Sequence, residues 1–544
     1  MASTIPPAPT TGTGLDRGLR IGLGIGLLLP AVLALLGSYV LPSALAVYRS
    51  TTRDNLIGPA EGVGLDNYQA AFDDGFVGSL WLTALLALVP LLVGLVVAPL
   101  LALLADRAGR AARSATRVLL VLPVACYAPV GLLIGWRTDR LDVATVVEHP
   151  YATMFWLTAV TSAGLVVAVA TTLFLAALRG GSPWRARLSA ALTVAGVLAI
   201  GILATVLQIF DAAVVLGARR DGSWTPLTEI VTLSLMRFEI GRGSASVVLL
   251  LAPLMLLGVA AVGLLLITRA RIEVDPTRQA VDTTQRAAGR VPARIGLAVA
   301  LTVLVAAGVW IAFPWLRRIF QFQSDGPFGG GSPAETVIAT WLPTLVASVV
   351  SVGIAALAGF AIGGLRPLGR HSELLLLPFA PWLFVGTGPL AIESYVRARD
   401  LGLLDSMISL IPPGWVSIPT LVAFALLGRG QHARWQAGGG FTRTMLLPAL
   451  PMLALAGLLT WLFNAGQLLW PWLVAQGPSG MPATVSVFRL FSGARAEADG
   501  LGFGLLLPVP LLLLFLAAFV ALQLTYLDRL AIRVGQESDV SATG

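Results

Sequence analysis

Twelve apolar runs govern what this chain can become. They cover residues 21–47, 80–104, 118–136, 152–178, 190–217, 244–268, 295–316, 341–365, 374–394, 406–428, 444–472 and 501–526. A bilayer core about 30 Å thick takes about 20 apolar residues as a helix. Hydrocarbon offers no partner to backbone N–H and C=O groups, and a helix satisfies them within one segment. Of the 544 residues, 56% are hydrophobic and 12% are charged, and that charged share is roughly half the usual one. Mean hydropathy is +0.85. These values exclude a soluble enzyme, a nucleic-acid binder, a disordered chain and a disulfide scaffold. The expectation is an all-α polytopic membrane protein with about 12 transmembrane helices, surrounded by a lipid bilayer.

The longest polar stretch inside the chain is 269–294, with Pro276, Pro292 and mixed charge. It reads as a cytoplasmic linker between two six-helix halves, 20–268 and 295–526. The ends, 1–19 and 527–544, read as cytoplasmic tails, the first disordered around Pro6-Pro7. After the fifth run of each half the chain repeats a passage. Thr232-Leu233-Ser234-Leu235-Met236-Arg237 matches Thr484-Val485-Ser486-Val487-Phe488-Arg489. A six-helix unit has an even number of spans, so its duplicate runs parallel, about an axis along the membrane normal. A pathway between the halves is the geometry that follows.

The net charge is +8, and all 36 basic residues are arginine. Placing both termini in the cytoplasm puts 22 arginines and 9 acids inside, against 14 arginines and 19 acids outside. That asymmetry obeys the positive-inside rule, so topology accounts for the charge without nucleic acid. Without lysine there is no Walker A loop and no Schiff base, so the chain is expected to hydrolyse no ATP of its own and to be no enzyme. Cys126 stands alone, and His149, His371 and His432 lie far apart. Neither a disulfide, a metal site nor a cofactor is expected.

Several local passages resemble the membrane subunits of carbohydrate-type ABC importers, in the same order along the chain. Gly64-Leu65-Asp66-Asn67-Tyr68, followed by Phe72 and Phe76, is similar to the outer segment before that family's second helix. Leu122-Pro123, Pro129 and Trp136 resemble its third helix, and Gln208-Ile209-Phe210-Asp211 the end of its fifth. Leu401-Gly402-Leu403-Leu404-Asp405-Ser406 and Asn464, Gln467, Trp470 and Pro471 resemble the partner permease type. The resemblance covers about 64–260 and 336–526. It implies two fused permease halves, an extracytoplasmic solute-binding protein, and cytoplasmic ATPase subunits that power alternating access. The family's Glu-Ala-Ala coupling loop is degenerate here. The first loop is Arg179 to Arg187, with no acidic start, and the second, Gly428 to Arg443, keeps only Gly438-Gly439-Gly440 and Leu447-Pro448.

Polar groups within apolar runs are costly and therefore candidates for function. Gln208 and Asp211 share one helical face, as do Asn464 and Gln467, each pair being three residues apart. These four are the expected substrate pathway, with hydrogen bonding between helices as the plainer alternative. Arg185, Arg187, Arg434, Trp435, Leu447 and Pro448 are the expected ATPase contacts. Trp81, Trp470 and Trp472 suit an interfacial belt better than sugar stacking. Leu104-Ala105-Asp106-Arg107-Ala108-Gly109-Arg110 resembles a loop of major facilitator transporters, and reads here as an ordinary positive loop. An ion-driven secondary transporter of that type is the alternative function. It needs a titratable group in the middle of a span, and no clear one is present.

Overall fold

The computed structural model describes residues 17–53, 61–179, 184–217, 224–274, 290–322, 332–477, 480–493 and 500–535. These residues form an all-α polytopic membrane protein. Among the described residues, nine helices are long and apolar enough to cross a bilayer: Gly18–Ser50, Phe76–Ala108, Pro150–Leu178, Trp184–Val215, Ile240–Ile267, Val291–Leu316, Pro333–Leu365, Thr442–Ala465 and Val509–Arg529. Arg110–Ala125 and Pro129–Asp139 meet at 77° and bring the number to ten if counted as one span. Among the described residues, strand is confined to two short antiparallel pairs, Thr52–Arg53 with Glu61–Gly62 and Arg271–Val274 with Leu530–Arg533. The first 16 residues, 180–183, most of the linker and the last nine residues lie outside the described residues.

Two of the twelve expected runs are not among these candidate spans. Residues 374–394 are apolar but do not make one helix. A 3-10 segment, Gly369–Trp382, is followed by irregular chain and then Ala391–Asp400. Pro378, Pro381 and Pro389 cannot donate a helical hydrogen bond, and Gly386 and Gly388 favour none. Residues 406–428 hold Pro412-Pro413-Gly414, which delays the helix to Ile418–Gln436 and so carries it into polar sequence.

The order of elements repeats. Each part runs through a first and second long helix, an interrupted third, a fourth, a fifth that breaks near its end, a short apolar helix and a last long helix. The duplicated passages fall on the equivalent short helices, Pro226–Met236 and Ala483–Ser492. Chain ends alternate between two faces. One bears the Arg271–Val274 and Leu530–Arg533 strands and is called the strand face. The other bears the short helix Asp66–Asp73 and is called the cap face.

The halves exchange helices. Gly18–Ser50 packs on Pro333–Leu365 of the other half, and Val291–Leu316 packs on Phe76–Ala108. Ile240–Ile267 packs on Gly369–Trp382, and Val509–Arg529 on Arg110–Ala125. Hydrogen bonds bind the exchange: Arg20 Nη2 donates to Leu365 O (3.0 Å) and Trp136 Nε1 to Ile311 O (2.8 Å). On the cap face, Arg49 pairs with Glu393 at 2.9 Å, and Arg317 and Arg318 pair with Asp139 at 2.7 and 2.8 Å. The Arg20 bond reaches the second helix of the opposite half, and the others tie the end or flank of a first helix to the third element of the opposite half.

Proline also shapes the continuous spans. Among the described residues, four π-helical segments, Leu36–Val40, Val93–Val97, Ala361–Leu365 and Thr442–Leu446, are followed at the second position by Pro42, Pro99, Pro367 and Pro448. The widened turn moves the preceding N–H back by five residues, as in Leu41 N–H to Leu36 O, which eases the bond that proline forfeits.

Candidate functional site at the midline

Four interrupted helices meet between the halves. The first break, Cys126-Tyr127-Ala128, precedes Pro129, and Ala128 is pushed out of helical geometry (φ −137°, ψ 80°) as residues before proline are. The second is Leu207–Phe210, between Trp184–Val206 and Asp211–Val215. The third is 383–390. The fourth is Gly466-Gln467-Leu468, between Leu447–Ala465 and Leu469–Val474. Breaks expose backbone groups that lipid cannot satisfy, so they must meet protein or water.

They meet one another crosswise. Gln208 Nε2 donates to Phe384 O at 2.8 Å and to Ala204 O at 2.8 Å, while its Oε1 accepts from Gly386 N at 2.8 Å. The fifth helix of the first half is thereby sutured to the third break. Gly466 of the fourth break lies against Pro129, so closely that a Cβ would sit 3.1 Å from the ring. Tyr127 sets its ring edge to Phe463, with centroids 5.0 Å apart. Gln467 Oε1 accepts from Thr387 Oγ1 at 3.1 Å, which links the two breaks of the second half.

Asn464 and Gln467 line one pocket with Thr340, Thr344 and Thr484. Asn464 Nδ2 reaches Ser348 Oγ at 3.4 Å. The Pro333–Leu365 helix presents a buried ladder of hydroxyls there, Thr336, Thr340, Thr344 and Ser348, each bonded or stacked one turn from the next. Its four-residue spacing within an apolar run was a readable signal of one polar helix face, as was the Pro/Gly density of 378–389 for the third break. A second pocket adjoins, lined by Tyr127, Pro129, Trp341, Gly466 and Thr484. The two share Thr484, and each leaves a cavity of only about 10 Å³, room for roughly one water and far too small for a small-molecule ligand. The midline is closed to anything of sugar size in this state. Apart from the Tyr127 phenol, neither pocket has an ionisable lining group.

The expected pathway residues therefore separate into two sets. Asn464 and Gln467 share a pocket. Gln208 is spent on backbone across the interface. Asp211 begins Asp211–Val215, is half-buried near Tyr127, and forms no hydrogen bond or ion pair with any described residue. Trp470 is buried, with its Nε1 on Ser409 O at 2.9 Å, and lines the Asn464–Gln467 pocket, whereas Trp81 is exposed. Asn67 and Tyr68 of the outer motif hold the cap: Asn67 Nδ2 bonds Ser50 O and Thr52 O, and Tyr68 meets Ser50 Oγ.

On the strand face, Arg185 is exposed and the Arg187 guanidinium lies over the Trp184 ring at 5.9 Å. Arg434 is exposed and donates to Val274 O, while Leu447 is exposed. Trp435 is buried with Leu365 and Met445, and Pro448 O accepts from Tyr526 at 2.7 Å, so these two serve internal packing as placed. Gln436 and Thr442 are separated by five residues, too few for a docking helix. Among the described residues, no group of three His, Cys, Asp or Glu side chains could hold a metal ion. No family model matches the chain, and no curated protein matches it.

Proposed function

We propose that this chain is a permease that moves a neutral polar solute, such as a sugar, across the cytoplasmic membrane by alternating access at the midline. The strand face is cytoplasmic in this reading, with both termini. The observation that carries it is the convergence of four broken helices on a pocket of amides and hydroxyls, Asn464, Gln467, Thr340, Thr344 and Thr484. Breaks at a repeat interface are how transport folds place polar groups inside a membrane. Uncharged hydrogen-bonding groups suit a solute that is itself uncharged. The closed pockets correspond to a state between outward and inward openings. The resemblance to carbohydrate-type ABC importers supplies the drive: separate cytoplasmic ATPase subunits, with an extracytoplasmic protein delivering solute. The degenerate loops make Arg185, Arg187, Arg434 and Leu447 the contacts that remain accessible to such an ATPase.

One observation favours the second reading, a secondary transporter of the major facilitator type. Asp211 is a carboxylate at the midline with no ion-pair partner among the described residues. Purification from native membranes separates the two. The importer reading expects a P-loop ATPase to co-purify in stoichiometric amount. Absence of any ATPase, with uptake that collapses when the proton gradient alone is dissipated, overturns it in favour of the second.

A further inference from the structure

We propose that the strand pair Arg271–Val274 with Leu530–Arg533 is a latch that closes the strand face of the midline and must part before that face opens; this rests on the alternating-access reading. Each strand leaves the last helix of its own half, Ile240–Ile267 or Val509–Arg529. The register is Arg271 with Arg533, Ile272 with Ile532, Glu273 with Ala531 and Val274 with Leu530. Each strand also rests on the fourth helix of the other half. Ile272 O lies against Gly430, where any Cβ would collide with it, and Leu530–Arg533 packs on Pro150–Leu178. Separating the halves at this face therefore breaks the ladder and unseats both strands.

The construction suits a device that opens. A two-stranded pair alone is marginal in water, and these strands share no hairpin turn, so the ladder exists only while the halves hold it together. The charge arrangement supports the same use. Arg271 and Arg533 stand directly opposite, an unfavourable placement for like charges. Glu273 lies between them, with Oε1 2.8 Å from Arg271 Nε and Oε2 3.8 Å from Arg533 Nε. Arg271 Nη1 further donates to Gly535 O at 2.8 Å, and Gly535 N to Thr268 O at 2.9 Å. Glu273 thus bridges two like charges that face each other across the join.

The test uses the full chain in oriented membrane vesicles with Cys126→Ser, Asn464→Cys and the facing pair Ile272→Cys and Ile532→Cys. A membrane-impermeant maleimide is added from each side, and modification of residue 464 is read by mass spectrometry. Oxidation that joins 272 to 532 is expected to slow labelling from the strand face at least tenfold, leave labelling from the cap face unchanged, and be reversed by reductant. In a chain without the pair, Glu273→Gln is expected to raise strand-face labelling several-fold. Unchanged strand-face labelling with the pair joined, or failure of the pair to join at all, overturns the latch and leaves alternating access standing. A residue 464 that labels from neither side in the reduced protein overturns alternating access, and the latch with it.

Discussion

At the scale of single residues, Gln208 is the side chain whose loss the midline should feel most. It satisfies three backbone groups, two of them across the interface. Gln208→Leu removes three hydrogen bonds, to half-buried Phe384 O, to exposed Gly386 N and to Ala204 O, each worth about 0.5–1.5 kcal/mol. Gln467→Leu forfeits one hydroxyl bond and should cost about 1 kcal/mol. Thermal unfolding in detergent should therefore rank Gln208→Leu well below Gln467→Leu. His432 gives a pH signature. It lies beyond the apolar part of Ile418–Gln436, outside the nine candidate spans. Burial first, then Arg366 and Arg20, push it down from 6.5 to about 4, while its Nδ1 meets Gly364 O at 2.9 Å. Between those values the unfolded chain binds a proton that the folded one refuses. Stability present above pH 6.5 is thus lost as pH falls toward 4. Melting at pH 7.5 and pH 5 should show the drop in the native protein and a smaller drop in His432→Gln.

At the scale of elements, close backbone approach decides which glycines matter. Gly359 and Gly363, four apart, bring the Pro333–Leu365 helix against Leu421 and Ala425 of Ile418–Gln436. A Cβ at Gly363 would collide with Ala425 O, so Gly363→Ala should cost about 1–3 kcal/mol through forced separation. Gly353 on the same helix has nothing within 4 Å of an added Cβ, and Gly353→Ala should cost nothing. Equal melting temperatures for the two variants would contradict this packing. The elements also show which features were readable from residue order. Helicity and the paired order of elements follow from apolar length and local polarity, whereas 190–217 and 444–472 read as unbroken spans and are in fact interrupted at Leu207–Phe210 and Gly466–Leu468. The form of residues 374–394 does not follow either, because apolarity sets where a segment lies but Pro378, Pro381 and Pro389 decide that it cannot be one helix. The hydroxyl ladder Thr336 to Ser348 sits in an apolar run, and only its four-residue spacing distinguishes it from scattered threonines. Asn67 and Trp470 carry a family-like pattern yet act here as struts, which residue order alone does not disclose.

At the scale of the whole molecule, exchanged first helices make each half incomplete without the other. The Arg49 and Glu393 pair carries one of these crossings, and the Glu393 side chain is 1% exposed. Glu393→Ala should cost about 3–5 kcal/mol, as breaking a buried pair does. Asp400→Asn removes only the exposed pair with Arg399 and should cost about 0–1 kcal/mol. Denaturant melts of the two variants check that ordering. The central claim is that the halves rock about the midline, so that one face closes as the other opens. Distances between spin labels measure this most directly, in a Cys126→Ser chain labelled at exposed sites: Leu65 and Leu401 on the cap face, Trp184 and Phe441 on the strand face. Alternating access predicts two populations for each pair, with the cap-face distance long when the strand-face distance is short. A single distance for each pair that no condition shifts, or two that lengthen together, would contradict it.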